Sequence, residues 1–235
     1  MASRPSFRSL KYRLHRLFGL KTTWIEGLRV VCDDGKINSF VAKDIIKGTY
    51  ELAERVLIRA AIRPGDYVLE IGAGVGVVSL LCNRLAGVGN VTSYEANEEL
   101  GPAIIENFAL NNVTLQLRLK AVTVDGGPIT FFRDENVVSS SLLERNSAAV
   151  RITVDSDPIN LAIEQSRANV IVMDVEGAEI ALLGAADLTS VREIIVEVHP
   201  HVVGKGATQA MIDELCGRGF VQKQMRHKTI WLGRP

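Results

Sequence analysis

The apolar run Tyr67-Val68-Leu69-Glu70-Ile71 passes without a spacer into Gly72-Ala73-Gly74-Val75-Gly76, and a helical pattern follows through about Leu85. A strand that turns into a helix over glycines opens a βα unit. Glycine is needed there because the backbone bends sharply and lies close to whatever binds above it. The alternation continues with apolar strands at Val91 to Glu95, Leu115 to Val122, Val170 to Met173 and Glu193 to Val198. Helical patterns fall at Glu99 to Leu110, from Ala178, and at about Thr208 to Cys216, before an antiparallel pair at Phe220 to Lys223 and Thr229 to Leu232. Nearly continuous apolar strands between helices imply a doubly wound α/β sheet, mostly parallel and covered on both faces. Such a sheet binds ligands at the carboxyl ends of its strands, beside the point where the strand order reverses.

The 235 residues, 47% of them hydrophobic and 23% charged, suit one globular domain and exclude a disordered or fibrous chain. Three scattered cysteines, Cys32, Cys82 and Cys216, match neither a disulfide framework nor a zinc site, so a reduced, cytoplasmic setting is expected. No apolar run approaches the roughly 20 residues that span a bilayer.

The net charge is zero but unevenly placed. Arg4, Arg8, Lys11, Arg13, Arg16 and Lys21 precede the first acid, Glu26, and the rest of the chain carries a net charge of minus six. That acidic body argues against a nucleic-acid partner, which selects clustered positive charge. Within the basic stretch Phe7, Leu10, Leu14, Leu17 and Phe18 recur at helical spacing. Residues 1–21 are therefore expected to form a basic amphipathic leader helix, either packed on the domain or resting on a partner or an anionic membrane. Residues 22–235 are expected to form a single domain. Within it, Leu28 to Cys32 and Lys36 to Val41 flank Asp33-Asp34-Gly35 and predict a hairpin. Thr49 is expected to cap a helix through about Ile62 with Leu52, Val56 and Ala60 on one face. Ile129 to Phe132 and Val150 to Val154 predict further strands around Ser139-Ser140-Ser141.

The glycine spacing is Gly-x-Gly-x-Gly, with Val77 where a dinucleotide motif would place its last glycine. Glu70 lies within the strand before the turn, and Glu95 ends the next strand, where a carboxylate can accept both hydroxyls of a ribose. Two acids and no phosphate-seeking lysine suit a nucleoside cofactor without phosphate, such as S-adenosyl-L-methionine. A second acidic group, Asp174-Val175-Glu176-Gly177-Ala178-Glu179, follows the apolar strand at Val170 to Met173. Glu176 or Glu179 could equally serve the positive end of the following helix. The next strand ends Glu197-Val198-His199-Pro200-His201, and alternation places Glu197 and His199 on one side, beside the tip that carries Asp174. Asp174, Glu197 and His199 are the expected catalytic group, with Asp174 or His199 as the base that takes a proton from a substrate hydroxyl. A divalent metal there is conceivable, but Glu-x-His spacing alone is poor evidence for one, and no metal ligands are assigned.

The glycine turn resembles the first motif of class I methyltransferases, and Glu95 matches their ribose-binding acid. That resemblance implies a Rossmann-like sheet, with Glu70, Gly72, Ala73, Gly74 and Gly76 flanking the methionine part of the cofactor. It also implies that Ala96 and Asn97 lie near the adenosine, and Ala121 and Val122 near the adenine. Gly48-Thr49-Tyr50-Glu51, Pro64-Gly65-Asp66, Asp174 to Glu179 and Glu197-Val198-His199-Pro200 together resemble the FkbM family over about residues 44 to 200. The resemblance adds Tyr50, Glu51 and Asp174 to the expected cofactor site. It further implies methyl transfer to a hydroxyl of a sugar or another small natural product, with N-methylation of protein or nucleic acid, or a catalytically silent cofactor-binding module, as the alternatives. Glu70 departs from the aspartate common in that family.

Overall fold

The computed structural model describes residues 7–133 and 150–235. Helix α1 (Phe7–Leu17) precedes a hairpin of β1 (Thr22–Ile25) and β2 (Leu28–Val31); α2 (Ser39–Lys47) and α3 (Leu52–Ala61) then lead into β3 (Val68–Ile71). Alternation follows: α4 (Val77–Ala86), β4 (Val91–Tyr94), a 3-10 turn (Glu98–Leu100), α5 (Gly101–Leu110) and β5 (Gln116–Arg118). The short strands β6 (Ala121–Thr123), β7 (Ile129–Arg133), β8 (Val150–Val154) and β9 (Ser156–Pro158) interrupt it. It resumes with α6 (Ile159–Ser166), β10 (Val170–Met173), α7 (Glu179–Ala185), β11 (Glu193–Glu197), α8 (Pro200–Val203) and α9 (Lys205–Gly217), and ends with β12 (Val221–Arg226) and β13 (Thr229–Gly233).

The main sheet has seven strands in the order β12-β13-β11-β10-β3-β4-β5. From β11 to β5 the neighbours are parallel, while β13 runs antiparallel to both β11 and β12. This is the mostly parallel, doubly wound sheet expected, with its order reversing between β3 and β10. Successive strand residues alternate between two cores. Val68, Val170, Val172 and Ile195 pack with α3, α4 and α5 on one face. Leu69, Ile71, Ile171, Met173 and Val196 pack with α6, α7 and α9 on the other. The three cysteines are free, Cys32 and Cys82 buried and Cys216 exposed. Among the described residues no helix is long and apolar enough to cross a membrane.

Several local expectations are corrected. The hairpin turns at Glu26-Gly27, with φ of 52° and 79°, not at Asp33-Asp34-Gly35. Two positive φ values match the twist of a two-residue hairpin, and Arg55 and Arg59 hold the Glu26 carboxylate. Residues 39–47 form α2 rather than a strand, because the Asn38 side chain accepts the Phe40 N–H and caps it. Thr49 does not cap α3. Its hydroxyl donates to Asp44 at the end of α2, and Glu51, at φ 49°, begins α3 instead. The buried residues of α3 are Glu54, Arg55, Leu57, Ile58 and Ala61, and Ala60 is exposed. The expected strand Leu115 to Val122 divides into β5 in the main sheet and β6, which pairs with β9. Helix α6 had no counterpart in the sequence reading. The antiparallel pairing of β7 with β8 agrees with it, whereas Ser139-Ser140-Ser141 lies outside the described residues.

Candidate active site

A cavity of about 480 Å³ opens where the strand order reverses, over the carboxyl ends of β3, β4 and β10. Tyr50, Glu51, Gly72, Gly74, Glu95, Ala96, Asn97, Ala121, Val122 and Asp174 all line it. Glu70, Ala73 and Gly76 do not; Ala73 is buried in the turn, its N–H donated to the Tyr94 carbonyl at 3.0 Å.

Alternation along β3 directs Glu70 to the α4 face of the sheet, beneath the turn. There it is fully buried and accepts the Ser79 hydroxyl at 2.5 Å. Burial pushes its carboxyl up to about 7, against the Ser79 and Ser93 hydroxyls, which favour the charged form. Glu70 therefore fastens the turn to α4 from below. Gly76 serves packing: a Cβ there would meet Phe108 at 3.0 Å and Ile104 at 3.1 Å on α5. Gly72 and Gly74 serve the cavity floor. A Cβ on Gly72 would lie 1.9 Å from the Asp174 carbonyl oxygen, and one on Gly74 would lie 2.7 Å from the Tyr50 hydroxyl. Only glycine lets the β3 turn, the β10 tip and the start of α3 close on one another.

Glu95 grips the turn from its other side. Its two oxygens accept the backbone N–H groups of Gly74 (2.7 Å) and Asn97 (2.8 Å). Burial raises the carboxyl, and these backbone donors partly offset that. The Ala96 N–H adds a third backbone donor, and the carboxylate still lines the cavity. The Asn97 side chain caps the following 3-10 turn by accepting the Glu99 N–H.

The opposite rim is acidic. Burial raises the carboxyls of Glu51 and Glu54, and the nearby charges of Asp174 and Glu70 add to this. The Tyr50 hydroxyl bonds to Glu51, whose Oε2 is buried without a partner. Among the described residues Lys120 is the one basic residue in the cavity lining, and Asp157 pairs with it at 3.0 Å.

Next to this rim Asp174, Glu197 and His199 converge as the strand alternation foretold. His199 Nε2 lies 3.6 Å from Asp174 Oδ1 and 3.7 Å from Glu197 Oε1. Glu179, fully buried, is no mere helix-terminus charge: its carboxylate accepts the backbone N–H groups of His199 (2.9 Å) and Gly177 (2.8 Å) and faces His199 Nδ1 at 3.6 Å. Burial works against the imidazolium, but Glu179 and Asp174 raise the His199 pKa overall. Asp174 is pushed up to about 7, first by burial and then by the Glu197 charge. Of the three, only Asp174 reaches the cavity lining. Their ligand atoms lie within 4.8 Å of one another, a grouping compact enough for a small cation.

Residues 70–221, which hold the glycine turn and both acidic tips, match the family model of the methyltransferase FkbM domain. The chain belongs to the FkbM methyltransferase family. The hexuronic acid methyltransferase AglP of Haloferax volcanii is 23% identical to this FkbM protein over an alignment covering 94% of this chain and 95% of that one. The ribosomal RNA small subunit methyltransferase A of Thermotoga maritima is 35% identical over 98 residues, 40% of this chain and 34% of that protein. Among solved structures, a Pyrococcus furiosus methyltransferase superposes with a TM-score of 0.48 at 13% identity, covering 97% of this chain and 96% of that one.

The FkbM domain match begins at Glu70, so α2 and the Tyr50-Glu51 corner reach the cavity from outside it. Ile37, Asn38 and Val41 line the mouth, and reading residues 36–41 as a strand hid them. Glu54, three residues before Leu57 on the buried face of α3, lies behind the acidic rim and couples to Glu51 by charge without lining the cavity.

Proposed function

We propose that this FkbM-family methyltransferase takes its methyl group from S-adenosyl-L-methionine and delivers it to a hydroxyl of a sugar or sugar-like natural product. The observation that carries this reading is the acidity of the cavity. Glu51, Asp174 and Glu95 border it, burial raises all three carboxyls, and the one lining cation among the described residues, Lys120, is already paired. Buried acids of this kind suit a ligand with positive charge and no phosphate. A dinucleotide would bring its pyrophosphate against these carboxylates.

The residues present fit that cofactor. Gly72 and Gly74 form a floor without side chains, Glu95 offers acceptors for ribose hydroxyls, and Ala121 and Val122 provide an apolar wall for the base. Glu51 would face the cationic end, leaving Asp174 toward the acceptor. When bound, the cofactor supplies an electrophilic methyl group on a sulfonium. Asp174, which lines the same cavity with its carboxyl held near 7, would take the proton of an acceptor hydroxyl. His199 and Glu197 act through Asp174, setting its charge and orientation, and Glu179 fixes His199. Alignment of acceptor and cofactor over the rigid strand tips supplies most of the rate.

The name of the Haloferax relative places its methyl group on a hexuronic acid, which favours a sugar acceptor here. The test is transfer of labelled methyl from S-adenosyl-L-methionine to a panel of glycosides, uronic acids, peptides and RNA oligonucleotides, with and without EDTA. Labelled ether on a glycoside or uronic acid, unaffected by EDTA, is the expected product. Label on RNA or peptide nitrogen alone would replace the hydroxyl reading.

A further inference from the structure

Helix α1 is attached by the face that its amphipathic pattern would leave in water. His15 is buried, with Nδ1 3.7 Å from Cys32 Sγ, and Tyr12 packs on α2 beneath Lys47. On the far side Leu10, Leu14, Leu17 and Phe18 are exposed, Leu17 by 75% and Phe18 by 68%. Leu20 and the hairpin residue Trp24 extend the same exposed apolar character beyond the helix. Isolated surface leucines need no explanation. A contiguous ridge on a helix whose polar flank is the docked one does.

Charge decides what covers the ridge. Six Lys and Arg and no acid precede Glu26, whereas the remaining chain carries a net charge of minus six; Arg16 and Lys21 pair with Asp34 and Asp33, so the basic excess at this end rests on the other four. Helical spacing sets Arg13 at one border of the apolar arc, where a long basic side chain can reach headgroups while the leucines sink beside it; at the other border Lys11 donates its ammonium to the Trp24 carbonyl at 3.4 Å. A second copy facing the ridge would bring two basic stretches together. An anionic surface would attract this end and repel the rest of the protein.

We propose that α1 is an interfacial anchor that lies in the plane of an anionic lipid bilayer, with Leu10, Leu14, Leu17 and Phe18 in the acyl boundary. The anchor packs on α2, whose neighbourhood (Ile37, Asn38 and Val41) lines the cavity mouth. One helix therefore separates the lipid surface from the proposed transfer site.

The test is co-sedimentation of the full chain with vesicles of phosphatidylcholine alone and of phosphatidylcholine with 30% phosphatidylglycerol, at low and high salt. The expected result is binding to the anionic vesicles, at least about tenfold weaker on neutral ones and weakened by salt. The double variant L17E/F18E changes exposed side chains only. It should lose vesicle binding while keeping its melting temperature and its affinity for S-adenosyl-L-methionine. The proposal is overturned if the wild type ignores both vesicles, binds both equally, or binds no better than L17E/F18E. A concentration-dependent dimer abolished by L17E/F18E, without vesicle binding, would assign the ridge to a second copy. Neither outcome touches the methyl-transfer reading, which the cofactor affinity reports separately.

Discussion

The carboxylate of Glu179 accepts the backbone N–H of His199 at 2.9 Å, joining the first turn of α7 to the tip of β11. It also accepts the Gly177 N–H, so one buried charge fixes the loop after β10 and the imidazole beside it. Glu179→Ala leaves two backbone donors unpaired in a dry site and should cost about 3 kcal/mol, read from denaturant melts. It should also lower the His199 pKa, followed by NMR titration. A cost below about 0.5 kcal/mol would show that the carboxylate does not hold the tip together.

Asp174→Asn should reduce turnover by about 10²–10⁴-fold and leave the affinity for S-adenosyl-L-methionine within a few-fold. In the wild type kcat/KM should rise with pH through about 7, because the base must be deprotonated and its carboxyl titrates there. That rise should vanish in Asp174→Asn. If affinity and turnover fall together, Asp174 is principally a cofactor residue.

Much of this site is legible in the sequence because strong apolar strands carry it. β3, β10 and β11 are runs that only a covered parallel sheet accommodates, and period-two alternation then places Asp174 beside Glu197 and His199. The same alternation, applied to Glu70, would have placed that acid on the α4 side, away from the cavity. What stayed hidden was decided by competition between local signals. Asp33-Asp34-Gly35 is as good a turn before a capped helix as within a hairpin, and the local Asn38 cap on the Phe40 N–H settles it for the helix. Glu26 is an unusual residue at positive φ, held there by Arg55 and Arg59 from a helix 29 or more residues away. No local pattern announces such a contact.

The three glycine substitutions should separate packing from conformation. Gly72→Ala meets the Asp174 backbone at 1.9 Å, which cannot move without displacing β10, so it should prevent folding. Gly76→Ala meets side chains on α5 at 3.0 and 3.1 Å and should be the intermediate case. Gly65 has φ +90° and nothing within 4 Å of its Cβ position. Gly65→Ala should therefore show only the backbone strain, about 1–2 kcal/mol. Circular dichroism melts give the order, and a Gly72→Ala protein as stable as Gly65→Ala would contradict the close approach.

Glu70 makes stability fall as pH rises. Its folded pKa, about 7, lies above the ordinary value of 4.5, so the folded state holds the proton more tightly. The stabilisation is complete below about pH 4.5 and is lost as pH rises through about 7, a difference on the order of 3 kcal/mol. Glu179 and Asp157, whose carboxyls are lowered, work in the opposite direction. The comparison is therefore made against Glu70→Gln, which should flatten the decline between pH 5 and 8. Parallel pH profiles for the two proteins would show that Glu70 is already ionised when folded.

The central claim is that the cavity over β3, β4 and β10 receives S-adenosyl-L-methionine. Isothermal titration calorimetry of the full chain with S-adenosyl-L-methionine and with NAD tests it most directly. The account predicts one S-adenosyl-L-methionine bound per chain, strongly weakened by Glu95→Ala, and no heat from NAD. Tight NAD binding with no response to S-adenosyl-L-methionine would contradict it.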